Sequence, residues 1–513
     1  MDFFYNFNNI AQLALRIINF IFILFVIFFE RKESLKRLFW IALLFLLPGF
    51  GFLFYILLSG HFFTGTKRMN EANNYVHSLS KPLIEKQHSF LSKNKSKLPP
   101  NVTNEFYQIV EMNLLKGESL LLPTESLSLY TNGEDYFNAL CHELENAKST
   151  IYMQYFVYHN DKIGKQIMNI LCKKAKEGLE VKLLYDDLGS LFTPTRFFKP
   201  LIKAGGKARA FFQIRVGLPF TVNFRNHRKV VIIDSKIAFT GGSNAGDEYE
   251  NKSRRIKLNW RDTNIRLTGA SVTNMETIFL VDWYSMEAWN SKAKTEEKIR
   301  THIPQSLYCE LENIVQSNSV KKFENQLFNT KSIPTQVITS GPNNTDKAKI
   351  EDAFIKMILS AKKSIFIQTP YFCPDESFLQ ALKIASYSGV DVRIMIPRDW
   401  DKFYVKAASM QFAREMTECG IKFYLYPGFI HSKTITVDSK ICSIGTTNID
   451  NRSFNLHFEM NCIFYSKKLS VRHDKIFLQD EEICERADKN YFDKKTFLVR
   501  TWWSFCKLFA LLM

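Results

Sequence analysis

The chain carries nine cysteines in 513 residues, but no C-x-x-C pair and no grouping of histidine with cysteine, which argues against a zinc site. Cys141, Cys172, Cys373 and Cys419, among others, suggest no disulfide framework and read as free, mostly buried thiols. No cluster of aspartate and glutamate offers magnesium a seat, so neither a metal nor any other cofactor is expected. A basic stretch ahead of the first apolar run is also missing. Asp2 is the first charge, which fits a cleaved signal peptide poorly. There is no acidic surplus: 68 Lys+Arg against 51 Asp+Glu leave a net charge of +17. That balance favours polyanions, either nucleic acid or an anionic membrane surface, and charge alone does not choose between them. The length is too great for one small domain and enough for two sizeable cores.

What the chain does have is a duplication. One copy reads His227-Arg228-Lys229, then Val230, Val231, Ile232 and Ile233, then Asp234, then Gly241-Gly242-Ser243-Asn244. The other reads His431-Ser432-Lys433, then Thr434, Ile435, Thr436 and Val437, then Asp438, then Gly445-Thr446-Thr447-Asn448. The β-branched runs suit buried strands, where residues two apart share a face. His227 and Lys229 then point one way, as do His431 and Lys433. Imidazole can attack phosphorus or move a proton near neutral pH, and lysine supplies positive charge for a phosphate oxygen. Two copies face to face would surround one phosphodiester with two imidazoles and two ammoniums.

A lone H-x-K is usually two stray residues on a core strand. The chain contains its own control, because His473-Asp474-Lys475 followed by Asp480 repeats the short pattern. There the β-branched run and the glycine are missing, and the charged text reads as a solvated helix face. The strand and the Gly-x-x-Asn context therefore carry the signal.

The N-terminus weighs on the choice of polyanion. Leu38 to Leu58 is apolar and uncharged for 21 residues, enough for a spanning helix, and membrane helices tolerate its Pro48, Gly49 and Gly51. Ile10 to Phe29 is a second candidate, interrupted by Arg16 and Asn19. Arg31, Lys32, Lys36 and Arg37 lie between them, and basic loops prefer the cytoplasmic side. Two full spans would place the rest of the chain outside; one span, or a re-entrant hairpin, would place it inside.

Further along, Ala147 to Phe156 echoes Ala361 to Phe372, and Gly178 to Leu184 matches Gly389 to Met395. The order of elements repeats while loop lengths drift, as in a duplicated α/β lobe. The expected organisation is a membrane anchor over 1–60 with helices 10–29 and 38–58, and a connector over 61–125, flexible near Lys93 to Pro100. A first lobe follows over 126–330, ending in a polar linker from Ser291 to Ser332, and a second lobe spans 331–513. The tail from Leu498 to Met513 sets Trp502, Trp503, Phe505, Phe509, Leu511 and Leu512 around Arg500 and Lys507. It suits a membrane interface or packing against the second lobe.

The paired motifs resemble those of the phospholipase D superfamily. The flanking text is similar to its bacterial cardiolipin synthases: Asn226 to Lys229, Trp260-Arg261-Asp262-Thr263, Pro370-Tyr371-Phe372, Gly428 to His431 and Asp450-Asn451-Arg452-Ser453-Phe454. Gly242 and Thr446 stand where many members carry serine, and Asn264 where a histidine is expected. The resemblance implies an α/β fold of two pseudo-symmetric α/β/α lobes, with the active site at their interface and N-terminal transmembrane helices ahead of them. It implies a multi-pass protein of the bacterial plasma membrane. The implied activity is that of a phosphatidyltransferase, making cardiolipin and glycerol from two phosphatidylglycerol molecules through a phosphohistidine. By analogy His227 is the nucleophile and His431 the acid and then the base. Lys229, Lys433, Asn244 and Asn448 would hold phosphate oxygens. Asp234 and Asp438 would orient the imidazoles, directly or through neighbours, and Glu459 would support one histidine or form a surface pair.

Partners would be phosphatidylglycerol, cardiolipin and anionic membrane lipids, and no nucleic acid; oligomeric state is left open. A phospholipid hydrolase, a superfamily nuclease and a non-catalytic membrane adaptor stand as alternatives. The nuclease has no need of Leu38 to Leu58, and the adaptor has no need of two intact motifs.

Overall fold

Pro48 lacks an N–H, so a helix running through it leaves the carbonyl of Leu44 without its usual partner. The computed structural model describes residues 2–30, 34–48, 50–59, 66–93, 95, 105–213, 223–253, 258–290, 332–342 and 349–510. Its N-terminal unit begins with helix α1 (Asp2–Phe29). The single helix expected over 38–58 is instead two short ones, α2 (Ser34–Leu46) and α3 (Gly51–Leu58). A Cβ on Gly51 would lie 2.8 Å from Leu44 Cα, so the chain folds back on itself between them. In one continuous helix, residues seven apart would be ~10 Å distant.

Asn19 on α1 satisfies the break: its Nδ2 donates to Leu44 O, and its Oδ1 accepts from Phe52 N–H at 3.1 Å. The residue that interrupts the first apolar run is thus the one that closes the second. Within α1, Ile10–Phe29 is the stretch long and apolar enough to cross a membrane among the described residues.

The large unit, residues 66–213 with 225–513, contains the duplicated fold. The first lobe's sheet has seven strands in the order Ser126–Tyr130, Asn264–Thr268, Ile237–Gly241, Val230–Ile233, Thr150–Tyr155, Glu180–Asp186, Lys207–Phe211. The second repeats it as Ile333–Ser340, Glu459–Phe464, Ile441–Gly445, Thr434–Val437, Ser364–Gln368, Asp391–Pro397, Lys422–Tyr426. In both, four antiparallel pairings are followed by two parallel ones. Registers agree too: Gln154 lies opposite Val230, and Gln368 opposite Thr434. Helices cover the sheets and bury the apolar runs.

The segment 61–125 is more than a connector. Leu122–Thr124 adds an edge strand to the second lobe's sheet, and Ile109, Val110 and Leu114 enter the same core as Phe354 and Ile358. The flexible stretch expected over 93–100 and the linker over 291–332 fall almost wholly outside the described residues.

One helix differs from expectation, and the tail takes the packing that was expected of it. His473, assigned to a solvated face, is buried on helix α4 (Lys467–Glu482), its Nδ1 2.9 Å from Thr436 Oγ1. Asp480 on the same helix holds Arg261 at 2.6 Å and Gln368 at 2.9 Å. The tail forms helix α5 (Phe497–Leu508), which buries Trp503 and Cys506 in the second lobe. Its other face shows Phe497 at 74%, Leu498 at 78% and Leu508 at 67% exposure, beside Phe403 at 72%. Leu511 and Leu512 lie outside the described residues.

Candidate active site

Each motif histidine is tied by its backbone to the other lobe. His227 N–H donates to Phe458 O at 2.9 Å, and His431 N–H donates to Arg261 O at 2.7 Å. The residue after each acceptor is a carboxylate. Glu459 Oε1 consequently lies 2.8 Å from His227 Nδ1, and Asp262 Oδ2 lies 2.7 Å from His431 Nδ1. The exchange is reciprocal: a second-lobe glutamate serves the first-lobe imidazole, and a first-lobe aspartate serves the second. Glu459 is fully buried, so it is no surface pair. Its Oε2 accepts from the Thr446 hydroxyl at 2.5 Å. The pseudo-equivalent Gly242 has no room for a side chain, since a Cβ there would lie 2.1 Å from Asp262 Oδ1. The two departures from serine thus fit the two carboxylates.

Lys229 Nζ reaches back to His227 O at 2.7 Å, and Lys433 Nζ to His431 O at 2.5 Å. Both are buried, and burial draws Lys229 down to about 7 against the pull of Glu459, and Lys433 to about 8 against Asp262. Burial also pushes Glu459 up to about 8, opposed first by Lys229. His227 is held well below its ordinary value by burial and then by Lys229; His431 falls to about 3 through burial and Lys433, against Asp262. Both rings are therefore neutral while the cavity holds no anion. With Nδ1 facing a carboxylate, each ring has Nε2 left for other work.

Both rings line one cavity of about 700 Å³, together with Asn244 and Asn448. Asn244 is tied into the wall, accepting from Val157 N–H at 3.1 Å and donating to Tyr249 Oη at 2.5 Å. Asn448 Oδ1 has no partner among the described residues.

Asp234 and Asp438 do not orient the imidazoles. Asp234 accepts from the backbone amides of Lys148, Ser149 and Thr150 at 2.7–3.1 Å. Asp438 does the same for Lys362, Lys363 and Ser364. Each lies seven positions of extended chain from its histidine, on the order of 20 Å. Both sit at positive φ, 54° and 53°, where they close the turn to the next strand and clamp the start of its neighbour.

Asp262 and His457 are site residues that the sequence reading does not single out. The repeat held a signal for the first, because Asp262-Thr263-Asn264 and Glu459-Met460-Asn461 are one pattern. Asn264 pairs with Gly241 and Asn461 with Gly445, which places each carboxylate beside its motif loop. His457 lines the cavity with its ring centroid 5.7 Å from that of His227. One atom each of His227, His457 and Glu459 lie within 4.8 Å of one another, a spacing a metal could use. Both Glu459 oxygens are already taken, and Lys229 and Lys433 make the surroundings hostile to a cation. The donor set suits an anion.

Comparison with known proteins agrees with this chemistry. Residues 140–283 and 354–481 match the family described as cardiolipin synthase, PLD-like domain, and 17–60 match a phospholipase D-nuclease N-terminal family. A cardiolipin synthase of Listeria monocytogenes is 36% identical over 469 residues, covering 91% of each chain. One from Clostridium perfringens is 34% identical, covering 94% of this chain and 95% of its own. One from Staphylococcus aureus is 35% identical, covering 94% and 92%. Among solved structures, a phosphatidylserine synthase of Haemophilus influenzae shares the fold, with a TM-score of 0.56 at 14% identity over 76% of this chain and 97% of its own.

Proposed function

The chain belongs to the cardiolipin synthase family, and from that premise we propose that it joins two phosphatidylglycerol molecules into cardiolipin and glycerol. It is a membrane-associated phosphatidyltransferase. The observation that carries the mechanism is the pair of imidazoles facing one cavity, each held by a carboxylate from the opposite lobe. His227 Nε2 attacks the phosphorus of the first lipid. The phosphorus–glycerol oxygen bond breaks, and His431 gives that oxygen a proton. The hydroxyl of the second lipid then loses its proton to His431 and attacks the phosphorus. The nitrogen–phosphorus bond breaks, cardiolipin leaves and His227 is restored. Lys229 and Lys433 balance the charge on the nonbridging oxygens. The bound phosphodiester supplies the negative charge that lets His431 hold its proton.

The N-terminal unit supports an arrangement of one span and a hairpin. Helix α1 crosses the bilayer. At 1.5 Å per residue, α2 and α3 are about 20 and 12 Å long, too short for a core of ~30 Å. They enter and return as a hairpin whose broken turn is satisfied by Asn19. Both ends of the hairpin then share a side with Arg31, Lys32, Lys36 and Arg37, which is the cytoplasmic side. The exposed aromatic face of α5, beside Phe403, suits contact with a membrane surface.

The deciding experiment supplies the purified protein with vesicles of phosphatidylglycerol alone. Cardiolipin and free glycerol in equal amounts are expected. Phosphatidic acid as the main product would make the protein a hydrolase instead.

A further inference from the structure

Duplication gives each part of the cavity wall a counterpart in the other lobe, so divergent pairs show where the half-sites differ in task. The bridge between Tyr158 and Ala245 matches the pairing of Phe372 with Ile449. Three residues further on stand Glu248 in the first lobe and Arg452 in the second. Two residues before each orienting carboxylate stand Trp260 and His457. All four line the cavity.

The two ends of the cavity are therefore unlike. Around His431 lie the rings of Trp260 at 5.0 Å and Tyr249 at 5.7 Å, with Glu248 beyond, bound to His159 at 3.1 Å. Around His227 the wall is cationic. Arg452 Nε donates to His457 Nε2 at 3.4 Å, which leaves the proton of that ring on Nδ1. His457 Nδ1 is buried and has no hydrogen-bond partner among the described residues. Its nearest acceptor, Glu459 Oε1, is 3.9 Å away and already serves His227.

The nearby carboxylates are occupied. Asp186 faces Arg225 at 3.3 Å, Asp450 caps Ser453 N–H at 2.7 Å, and Asp401 takes the Tyr371 hydroxyl at 2.7 Å with Lys402 at 4.0 Å. No carboxylate among the described residues lies within ion-pair distance of Arg452. After burial, the influences that keep His457 neutral are all cations: Arg452, Lys229, Lys402 and Arg225.

We propose that Arg452, His457 and Lys402 form a subsite for the phosphate of the acceptor phospholipid, distinct from the phosphate held between His227 and His431. This rests on the transferase reading above. Only one glycerol separates the reacting hydroxyl of the acceptor from its own phosphate, so a second anion must be held within the same cavity. The Arg452 guanidinium and the Lys402 ammonium supply that hold, with His457 tied to Arg452 beside them. Water and free glycerol carry no such charge, so the subsite gives the anionic lipid its advantage over them as acceptor.

The test uses full-length protein in phosphatidylglycerol vesicles with labelled glycerol outside. Cardiolipin formation and exchange of labelled glycerol into phosphatidylglycerol are measured together. Both share the phosphohistidine and differ only in acceptor. Arg452→Gln and Lys402→Gln are expected to lower the ratio of cardiolipin to exchange at least tenfold for the first and less for the second, with a raised KM for phosphatidylglycerol. Arg452→Lys should recover most of the ratio. An unchanged ratio in Arg452→Gln, with both reactions falling together or neither falling, overturns the subsite. Should Arg452→Gln fail to fold, the same reading is taken from Lys402→Gln, whose side chain is partly exposed and whose unchanged ratio counts equally against the proposal. Wild-type protein that exchanges glycerol but makes no cardiolipin defeats the cardiolipin-forming reading instead.

Discussion

Glu459 Oε1 stands 2.8 Å from Nδ1 of His227, across the boundary between the lobes. In its ionised form Glu459 accepts from Nδ1–H, the tautomer that leaves Nε2 unprotonated towards the cavity. Asp262 does the same for His431. Glu459→Gln and Asp262→Asn keep the shape and lose the charge. Each is expected to lower kcat by about 10²-fold or more while the thermal midpoint moves little. Activity within a few-fold of wild type in either variant would remove the carboxylates from the mechanism. His227→Ala and His431→Ala should abolish transfer. Rapid quenching with ³²P-labelled phosphatidylglycerol should leave label on His227, and label on His431 would reverse the two roles.

Asp234 and Asp438 should behave differently. Asp234→Asn weakens a clamp on three backbone amides, at a cost of about 1–2 kcal/mol, and leaves kcat of the folded protein nearly unchanged. Burial raises the Asp234 carboxyl, but the amides of Thr150, Ser149 and Lys148 outweigh it and hold the group below its ordinary range. Its stabilisation is therefore complete above the ordinary aspartate pKa and fades as pH falls through the folded value. Thermal melts of wild type and Asp234→Asn should converge in acid. A large loss of kcat without loss of stability would return this residue to the chemistry.

The lysines set an alkaline limit. Lys229 at about 7 and Lys433 at about 8 lose charge as pH rises through those values, and the grip on phosphate goes with it. kcat/KM, which reports the free enzyme, should fall from about pH 7–8 upward. On the acid side His227 is already neutral, and the limb belongs to Glu459, which burial pushes up to about 8 and which loses its charge as pH falls through that value. Lys433→Arg carries a fixed charge and should move the alkaline limb higher, if the longer side chain is accepted. A profile flat from about pH 6 to 9 would contradict the assignment.

The hairpin makes a prediction about sidedness. Protease added to intact spheroplasts should spare the catalytic lobes, and protease added to sealed inverted vesicles should digest them. The opposite pattern would require two full spans. Asn19→Leu makes α1 more apolar, yet it strands Leu44 O and Phe52 N–H at a cost of about 1–3 kcal/mol each. Less folded protein in the membrane is expected, measured by its resistance to protease in detergent.

The duplicated fold was legible because the chemistry needs the same residues twice, at spacings that a strand and its turn impose. Asp262 was legible in principle, since it repeats Glu459 in the pattern carboxylate-x-asparagine, but only after the two copies are aligned strand by strand. The task of Asp234 was not, because alternation along a strand tells which face a residue shares and nothing about what lies at the far end. The break at Pro48 was hidden by the tolerance of membrane helices for proline; its signature was the polar Asn19 some thirty residues earlier. His473 shows the limit of charge patterns: a buried imidazole on a largely polar helix looks, in sequence, like a solvated one.

Because each imidazole borrows its carboxylate from the opposite half, neither dyad is complete in a chain that has not yet reached residues 431 to 459. When His227 and Asp262 have been made, Glu459 and His431 have not, and the first lobe can fold without gaining a working dyad. On the proposed mechanism, both dyads are assembled only when synthesis is nearly complete.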